Sequence, residues 1–211
     1  MMRKSILCVA MFVGVLMALP EDVSAQYRPQ ARPRFGHRHR PHGYVGGQLT
    51  GFAVANQAGN FDYLGQGGGG GLFGGFRISP FLSIEGNWGI TYHDNNYDSY
   101  DIDAFYVMTF TGDLKVHIPT RGPLEPYFQG GVGFAWTGAT YGGGYYGDEA
   151  TVWAKGLTFA LGGGVDFWLS PFLSLGGRLL YRGLAFGEEQ DKTDANYVSG
   201  VTLDVNLTLH F

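Results

Sequence analysis

Hydrophobic and polar residues alternate with a period of two along most of the chain after residue 43. Such alternation is typical of a β-strand, because successive side chains point to opposite faces of the sheet. The clearest case is the last segment of the chain. Its apolar face consists of Val201, Leu203, Val205, Leu207, Leu209 and Phe211. Its polar face consists of Thr202, Asp204, Asn206, Thr208 and His210.

The same pattern predicts eight strands, at residues 44–56, 67–78, 81–93, 102–118, 127–139, 156–169, 172–186 and 197–211. Three connections contain proline, at residues 79–80, 119–126 and 170–171, and we interpret them as the short turns at one end. The other four are polar and are interpreted as the long loops, at residues 57–66, 94–101, 140–155 and 187–196. This arrangement is typical of outer-membrane barrels, and an even strand number leaves both termini at the periplasmic end. The expected fold is all-β, an eight-stranded antiparallel up-and-down transmembrane β-barrel.

A short internal similarity supports the turn assignments. Residues 76–83 read FRISPFLS, and residues 167–174 read FWLSPFLS. Each segment fits the end of one strand, a tight turn at Ser-Pro and the start of the next strand. With two copies, the similarity indicates a recurring hairpin and not a repeat fold.

The two faces of the predicted strands differ in volume and charge. One face carries large apolar side chains such as Trp88, Phe110, Phe134 and Leu161, while the other is rich in Gly, Ser, Thr and Ala. The lumen of an eight-stranded barrel is only just wide enough for side chains, so the small residues fit inside it. An arginine or lysine side chain facing lipid at mid-membrane costs roughly 2–4 kcal/mol. The bulky face is therefore expected to face lipid.

Charges of both signs accompany the small residues on the predicted inner face. We expect them to form a luminal ionic network made of Arg77, Glu85, Asp103, Asp113, Lys115, Asp166, Arg178, Arg182 and Asp204. Arg178 and Arg182 are expected to point inward near Asp204. An ion-pair plug is the favoured interpretation, since so narrow a lumen is largely filled. A narrow pore for small solutes is the alternative.

Aromatic residues fall into two groups along the predicted strands. Those toward the long loops are Trp88, Tyr92, Trp136, Tyr141, Tyr145, Tyr146 and Trp153. Those toward the short turns are Phe76, Phe81, Phe128, Phe167, Phe172 and Phe211. Two aromatic girdles are typical of the two interfaces of a membrane barrel.

Composition and the first residues bear on export. The chain has 36 Gly and 16% aromatic residues but only 15% charged residues. Arg3 and Lys4, the apolar stretch 6–19 and a small-residue site at 23–25 predict a signal peptide over residues 1–25. The single cysteine, Cys8, lies within it, so no disulfide or thiol chemistry is expected in the mature chain.

Residues 26–43 form a segment rich in Pro, Arg and His that contains five arginines and no acidic residue. We interpret this segment as a solvated periplasmic arm that precedes a barrel domain at residues 44–211. Metal binding by His37, His39 and His42 is an alternative, but no acid or cysteine completes a ligand set. Basic arms can also bind nucleic acid, which an exported protein rarely meets.

The barrel region resembles the small outer-membrane proteins of the OmpA/OmpX type. The resemblance rests on the alternating last strand that ends in Phe211, and on residues 126–134, which read PYFQGGVGF like the fifth strand of such barrels. It implies that Val205, Leu207, Leu209 and Phe211 form the signal read by the barrel-assembly machinery. The chain stops at Phe211, so no peptidoglycan-binding domain is expected.

The predicted long loops are acidic. Their charged residues are Asp62, Asp94, Asp98, Asp101, Asp148, Glu149, Glu188, Glu189, Asp191 and Asp194, against Lys155 and Lys192. Solvated surface charge is the favoured interpretation, and a loose calcium site within residues 93–101 is the alternative. The acidic loops also offer a surface for an extracellular ligand.

Sequence alone favours a structural or surface-interaction role over enzymatic activity. The histidines available as a base are His93, His117 and His210, of which His117 and His210 are expected at the periplasmic end. His93 is expected at the outer rim, and no serine stands at a convincing spacing from it, as a hydrolase would require. A lipid-modifying enzyme is therefore the least favoured hypothesis. The expected partners are outer-membrane lipids and the barrel-assembly machinery, with no nucleic acid and no cofactor.

Overall fold

The structure is a computed structural model that describes residues 42–58, 64–95, 102–120, 122–141, 151–187 and 196–211. It contains eight strands: β1 (Gly43–Ala58), β2 (Leu64–Ser79), β3 (Leu82–Asn95), β4 (Ile102–His117), β5 (Leu124–Tyr141), β6 (Thr151–Ser170), β7 (Leu173–Phe186) and β8 (Asn196–His210). Each strand pairs antiparallel with its neighbour in sequence, and β1 pairs with β8 to close the barrel. The predicted eight-stranded antiparallel barrel is confirmed.

Strand ends differ from the predicted bounds most clearly on β5 and β6. β5 begins at Leu124 instead of residue 127, and β6 begins at Thr151 instead of residue 156. Pro126 belongs to β5 and pairs with Val165, although a proline cannot donate to the sheet ladder. The strand therefore continues through a residue that the sequence analysis placed in a turn.

Bulky apolar side chains cover the outer surface of the barrel. Phe128, Val132, Phe134 and Leu161 are all more than half exposed. Inward positions on the same strands are buried, including Gln129 and Thr158. Among the described residues, no helix is long and apolar enough to cross a membrane.

Short turns lie at one end of the barrel, together with both ends of the barrel sequence. The backbone NH of Gly43 donates to the carbonyl of Phe211 at 3.0 Å, and the NH of Phe211 donates to the carbonyl of Gly43 at 2.9 Å. These two bonds extend the β1–β8 ladder to the last residue of the sequence. This is the end that the sequence analysis expects to face the periplasm.

Candidate functional site

Arg178 lies at the centre of the lumen, where it is almost completely buried. It projects from β7, and its Nε donates to Oδ2 of Asp204 on β8 at 2.6 Å. Its guanidinium also donates to side chains on three further strands: Gln48 on β1, Glu85 and Asn87 on β3, and Gln129 on β5. A single planar group therefore bridges the lumen from wall to wall, as the five donors of arginine allow.

Lys115 occupies the lumen beside this cluster. Its Nζ lies 2.5 Å from Oε2 of Glu85, so Glu85 binds both Lys115 and Arg178. Three aromatic rings surround the ammonium, with centroids 4.8 Å (Tyr127), 5.4 Å (Phe73) and 5.7 Å (Tyr44) away. The ring faces attract a cation and replace part of the water that this buried lysine has lost.

Asp113 contributes a carboxylate that is held by amides. Its Oδ2 accepts from Nδ2 of Asn87 at 2.6 Å and from Nε2 of Gln129 at 2.5 Å. Both amides also contact Arg178 through their oxygen atoms. Asn87 and Gln129 thus connect Asp113 to the arginine, because an amide can donate and accept at once.

A second buried cluster lies toward the short-turn end. Nη2 of Arg77 donates to Oε1 of Glu125 at 3.0 Å, and Oε2 of Glu125 accepts from Nε1 of Trp168 at 2.9 Å. The same Arg77 nitrogen lies 3.0 Å from Nδ1 of His117, whose Nε2 lies 2.7 Å from Oγ of Ser83. These contacts join β2, β3, β4, β5 and β6 across the short-turn end of the lumen.

Ser83 and His117 are placed like a nucleophilic serine and its base, but the hydrogen bond between them has the opposite direction, from histidine to serine. An arginine nitrogen is always a donor, so Nδ1 of His117 must accept from Arg77. The ring proton of neutral His117 then sits on Nε2 and is donated to Ser83. In this arrangement His117 cannot take a proton from the serine hydroxyl, which a nucleophilic mechanism requires.

The internal sequence similarity has a counterpart in these contacts. Its two copies end at Ser83 and Ser174, and each serine bonds a histidine near the end of the following strand. Oγ of Ser174 lies 2.9 Å from Nε2 of His210, whose ring packs on Trp168 with centroids 4.2 Å apart. The repeated hairpin therefore carries a repeated Ser–His contact.

Toward the long-loop end, apolar side chains predominate in the lumen, together with the buried His93, whose ring packs against Phe52 and Phe105. Nη1 of Arg182 donates to Oγ1 of Thr109 at 3.0 Å, the one side-chain hydrogen bond of Arg182 among the described residues. Apolar side chains fill the lumen at this end, and the buried ones are Phe52, Leu64, Phe105, Val107, Ala135, Leu184, Phe186 and Val198.

The structure places the predicted charged residues in different settings. Seven are buried inside the barrel: Arg77, Glu85, Asp113, Lys115, Arg178, Arg182 and Asp204. Asp166 borders a small luminal cavity of about 10 Å³ together with Tyr44, Arg77 and Lys115. Arg178 contacts Asp204 directly, whereas Arg182 contacts Thr109. The side chain of Asp103 lies outside the described residues.

Several residues of the site were not expected from the sequence. Glu125 was assigned to a turn, yet it is fully buried and pairs with Arg77. Gln48, Asn87, Gln129 and His117 were also missed as members of the network. Extending the period of two backward from Gln129 through Tyr127 places Glu125 on the inner face, so the signal was present in the sequence.

Other predicted features lie at the surface or beyond the described residues. Val205, Leu207, Leu209 and Phe211 face outward, and Phe211 is 71% exposed. Most of the acidic loop residues, and residues 96–101 of the calcium alternative, lie outside the described ranges. Where the chain is described, no three His, Cys, Asp or Glu side chains are grouped to hold a metal ion.

A family comparison agrees with this architecture. The sequence matches the outer membrane protein beta-barrel domain family over residues 15–211. The chain belongs to this family. Membership of the outer-membrane β-barrel family confirms the resemblance and places the protein in the outer membrane. No curated protein matches the sequence.

Solved structures of small outer-membrane proteins share the fold. Neisserial surface protein A has a TM-score of 0.56 at 19% identity, covering 80% of this chain and 97% of that protein. Ail, the attachment invasion locus protein of Yersinia pestis, has a TM-score of 0.53 at 14% identity, covering 82% and 100%. A major outer membrane protein from Thermus thermophilus has a TM-score of 0.50 at 16% identity, covering 80% and 99%. At such identities the likeness shows the fold alone.

Proposed function

We propose that this protein is a closed outer-membrane barrel with a structural and surface-interaction role. The contacts inside the lumen support a closed barrel, because side chains of different chemistry span it at two levels. In the polar level, Arg178 bonds side chains from four other strands. In the apolar level, Phe52, Phe105 and Phe186 are among the buried side chains. To pass through the barrel, an ion would have to break the contacts of the polar level and then cross the apolar level without water.

The loops at the long-loop end are the proposed working part of the molecule. Their residues are mostly outside the described ranges, but their acidic composition is fixed by the sequence. A rigid barrel that does not conduct is suited to hold such loops at the cell surface. The mature protein is proposed to begin at Gln26, after removal of the signal peptide.

Planar-bilayer recording of the purified protein tests closure. We expect no current steps above the leak of the bare membrane, because the polar and apolar levels both exclude hydrated ions. Reproducible current steps from the wild-type barrel would contradict the proposal and favour the narrow channel.

Protease added to intact cells tests whether the long loops are exposed at the cell surface. It should cut the long loops and leave the barrel. If the protease failed to cut the loops on intact cells, their proposed exposure at the cell surface would be contradicted.

The outward face of β8, together with Phe211 directly after it, is proposed as the contact for the barrel-assembly machinery, through Val205, Leu207, Leu209 and Phe211. Phe172 offers a matched control for Phe211, since it is a phenylalanine at the same end with 66% exposure against 71%. Phe211→Ala keeps the backbone bonds to Gly43 and removes only the ring.

We expect Phe211→Ala to lower the amount of protein in the outer membrane severalfold, while Phe172→Ala leaves it near the wild-type amount. Both variants lose a similar apolar contact with lipid, so the difference isolates recognition of the ring. Refolding of both variants into lipid vesicles, where no machinery is present, should be equally efficient. Equal losses in cells would assign Phe211 a merely structural role.

A further inference from the structure

The lipid-facing wall of the barrel contains a groove that the function proposed above does not use. Its floor is a row of glycines that are neighbours in the strand register: Gly74 on β2, Gly86 on β3 and Gly112 on β4. The volume of this glycine groove is about 780 Å³. The function proposed above concerns the lumen and the loops, so the groove needs an explanation of its own.

Two rows of bulky apolar side chains form the walls of the groove, each two residues away from the floor along its strand. The row toward the long-loop end consists of Leu72, Trp88 and Phe110, and the row toward the short-turn end consists of Phe76, Ile84 and Leu114. All six side chains are between 44% and 61% exposed. The groove therefore runs across β2, β3 and β4 between two apolar ridges.

Packing within the barrel does not require glycine on the floor of the groove. A Cβ at Gly112 would meet no heavy atom within 4 Å. The nearest atoms to a Cβ at Gly74 and Gly86 would lie at 3.5 Å and 3.9 Å, which is ordinary van der Waals contact. By contrast, a Cβ at the inward-facing Gly71 would collide with the carbonyl oxygen of Trp88. The space above the floor is thus open to a group outside the barrel.

The second copy of the Ser-Pro hairpin has no such groove at the same depth. Gly177 corresponds to Gly86, since each lies four residues after the first residue of its strand. Both register neighbours of Gly86 are glycines. The neighbours of Gly177 are Val165 and Val205, whose side chains are exposed on the outer wall. The groove is therefore specific to β2, β3 and β4.

The length and direction of the groove fit one hydrocarbon chain. The exposed Val45 adjoins Gly74 and the exposed Val132 adjoins Gly112, so valines end the row on β1 and β5. Four strand spacings of about 4.8 Å separate the two valines, which gives a length of about 19 Å. Because strands of such barrels tilt by about 35–45°, the groove is inclined to the membrane normal by about 45–55° and crosses about 11–13 Å of depth. One hydrocarbon leaflet is about 15 Å thick, so the groove fits within a single leaflet.

We propose that the glycine groove binds one acyl chain of a phospholipid in the leaflet at the short-turn end of the barrel. The groove is continuous with the lipid-facing surface of an outer-membrane barrel, where hydrocarbon chains are the surrounding solvent. Its wall includes Phe76, one of the aromatic residues at the short-turn end, and such residues lie where the headgroups begin. A chain in the groove contacts a floor and two walls, so it gains more dispersion contacts than a chain on a flat wall.

Photochemical labelling from within the membrane tests this proposal on the whole protein. Protein isolated from outer membranes is placed in phosphatidylcholine vesicles that contain a phosphatidylcholine with a diazirine in one acyl chain. Illumination attaches the chain to the residues it contacts, and mass spectrometry maps the attachment sites. We expect labelling of the wall around Gly86 to exceed labelling around Gly177 severalfold. Labelling spread evenly around the barrel would overturn the proposal.

Two matched variants separate the groove from its depth in the membrane. Gly86→Leu fills the groove and should lower the labelling of β2, β3 and β4 severalfold, whereas Gly177→Leu adds the same side chain outside the groove and should leave it unchanged. Gly112→Leu repeats the test where a Cβ meets no atom, and the shift between boiled and unboiled gel samples confirms folding. Equal effects of the variants on and off the groove would overturn the proposal. Loss of the excess labelling at high protein density would assign the groove to a second copy of the chain instead.

Discussion

Arg178→Met is expected to lower the free energy of unfolding by about 3–5 kcal/mol, the range for breaking a buried ion pair by removing one partner. The loss follows from what the substitution leaves behind. Asp204 is fully buried and its Oδ2 contacts Arg178, while Glu85 loses one of its two cations. A buried carboxylate without a cation pays its desolvation penalty in full. Urea titration of the protein refolded into lipid vesicles, followed by tryptophan fluorescence, measures the change.

Arg182→Met is the matched control for this prediction. Arg182 lies on the same face of β7, four residues further along, and it is also buried. Its side chain bonds Thr109, and no carboxylate among the described residues contacts it. Removing this cation removes the cost of its desolvation, which offsets the lost hydrogen bond. The free energy of unfolding should therefore change by no more than about 1 kcal/mol.

A further substitution tests the cause of the loss. Asp204→Asn in the Arg178→Met background removes the buried carboxylate charge that has lost its partner, and it should recover part of the stability. The pairing argument would be wrong if Arg178→Met and Arg182→Met cost the same, or if Asp204→Asn deepened the loss. Equal costs would mean that each arginine contributes to stability through the volume it fills in the lumen and not through the groups it contacts.

The fold could be predicted from the sequence because two local signals agree. A period of two sets which side chains share a face, and side-chain volume decides which face fits inside a narrow barrel. Trp88, Phe134 and Leu161 were therefore placed correctly on the outside, and Arg178 and Glu85 are buried inside. Neither inference requires knowledge of which residues meet across the lumen.

The contacts within the lumen depend on information that a single strand does not contain. Arg178 donates to Gln48, 130 residues away, because the stagger of the strands brings both to one height. Strand stagger arises only when the sheet closes, so the amides of Gln48, Asn87 and Gln129 were not expected as partners. The period of two places these amides on the inner face, but a single strand does not show which residues they meet there.

The apolar level of the lumen was missed for a different reason. The sequence analysis assigned small and polar residues to the whole inner face, yet Phe52, Phe105, Leu184 and Phe186 point inward. Residues 105–108 read FYVM and are apolar at every position. A continuous apolar run is the pattern of a strand that is buried on both faces, so the alternation is lost where the lumen turns apolar.

Close packing of the barrel wall gives the second large effect. Gly133→Ala is expected to destabilise the barrel by about 1–3 kcal/mol, the usual cost of forcing an extra methyl group into a packed region. A Cβ at Gly133 would meet the backbone of β4, at the carbonyl oxygen of Phe110 and the Cα of Thr111. Backbone atoms of a paired strand cannot rotate away, so the two strands must separate locally.

Gly112→Ala is the control that separates this clash from the general effect of removing a glycine. Gly112 pairs with Val132 on the same two strands, but a Cβ there meets no heavy atom within 4 Å. It borders an open groove of about 780 Å³ on the lipid-facing side, with Gly86 and Gly130. Alanine should therefore be neutral or stabilise by up to about 1 kcal/mol, because it restricts the unfolded chain. Urea titrations of both variants in the same vesicles give the comparison, and equal stability changes would show that close approach of β4 and β5 does not explain the glycine at position 133.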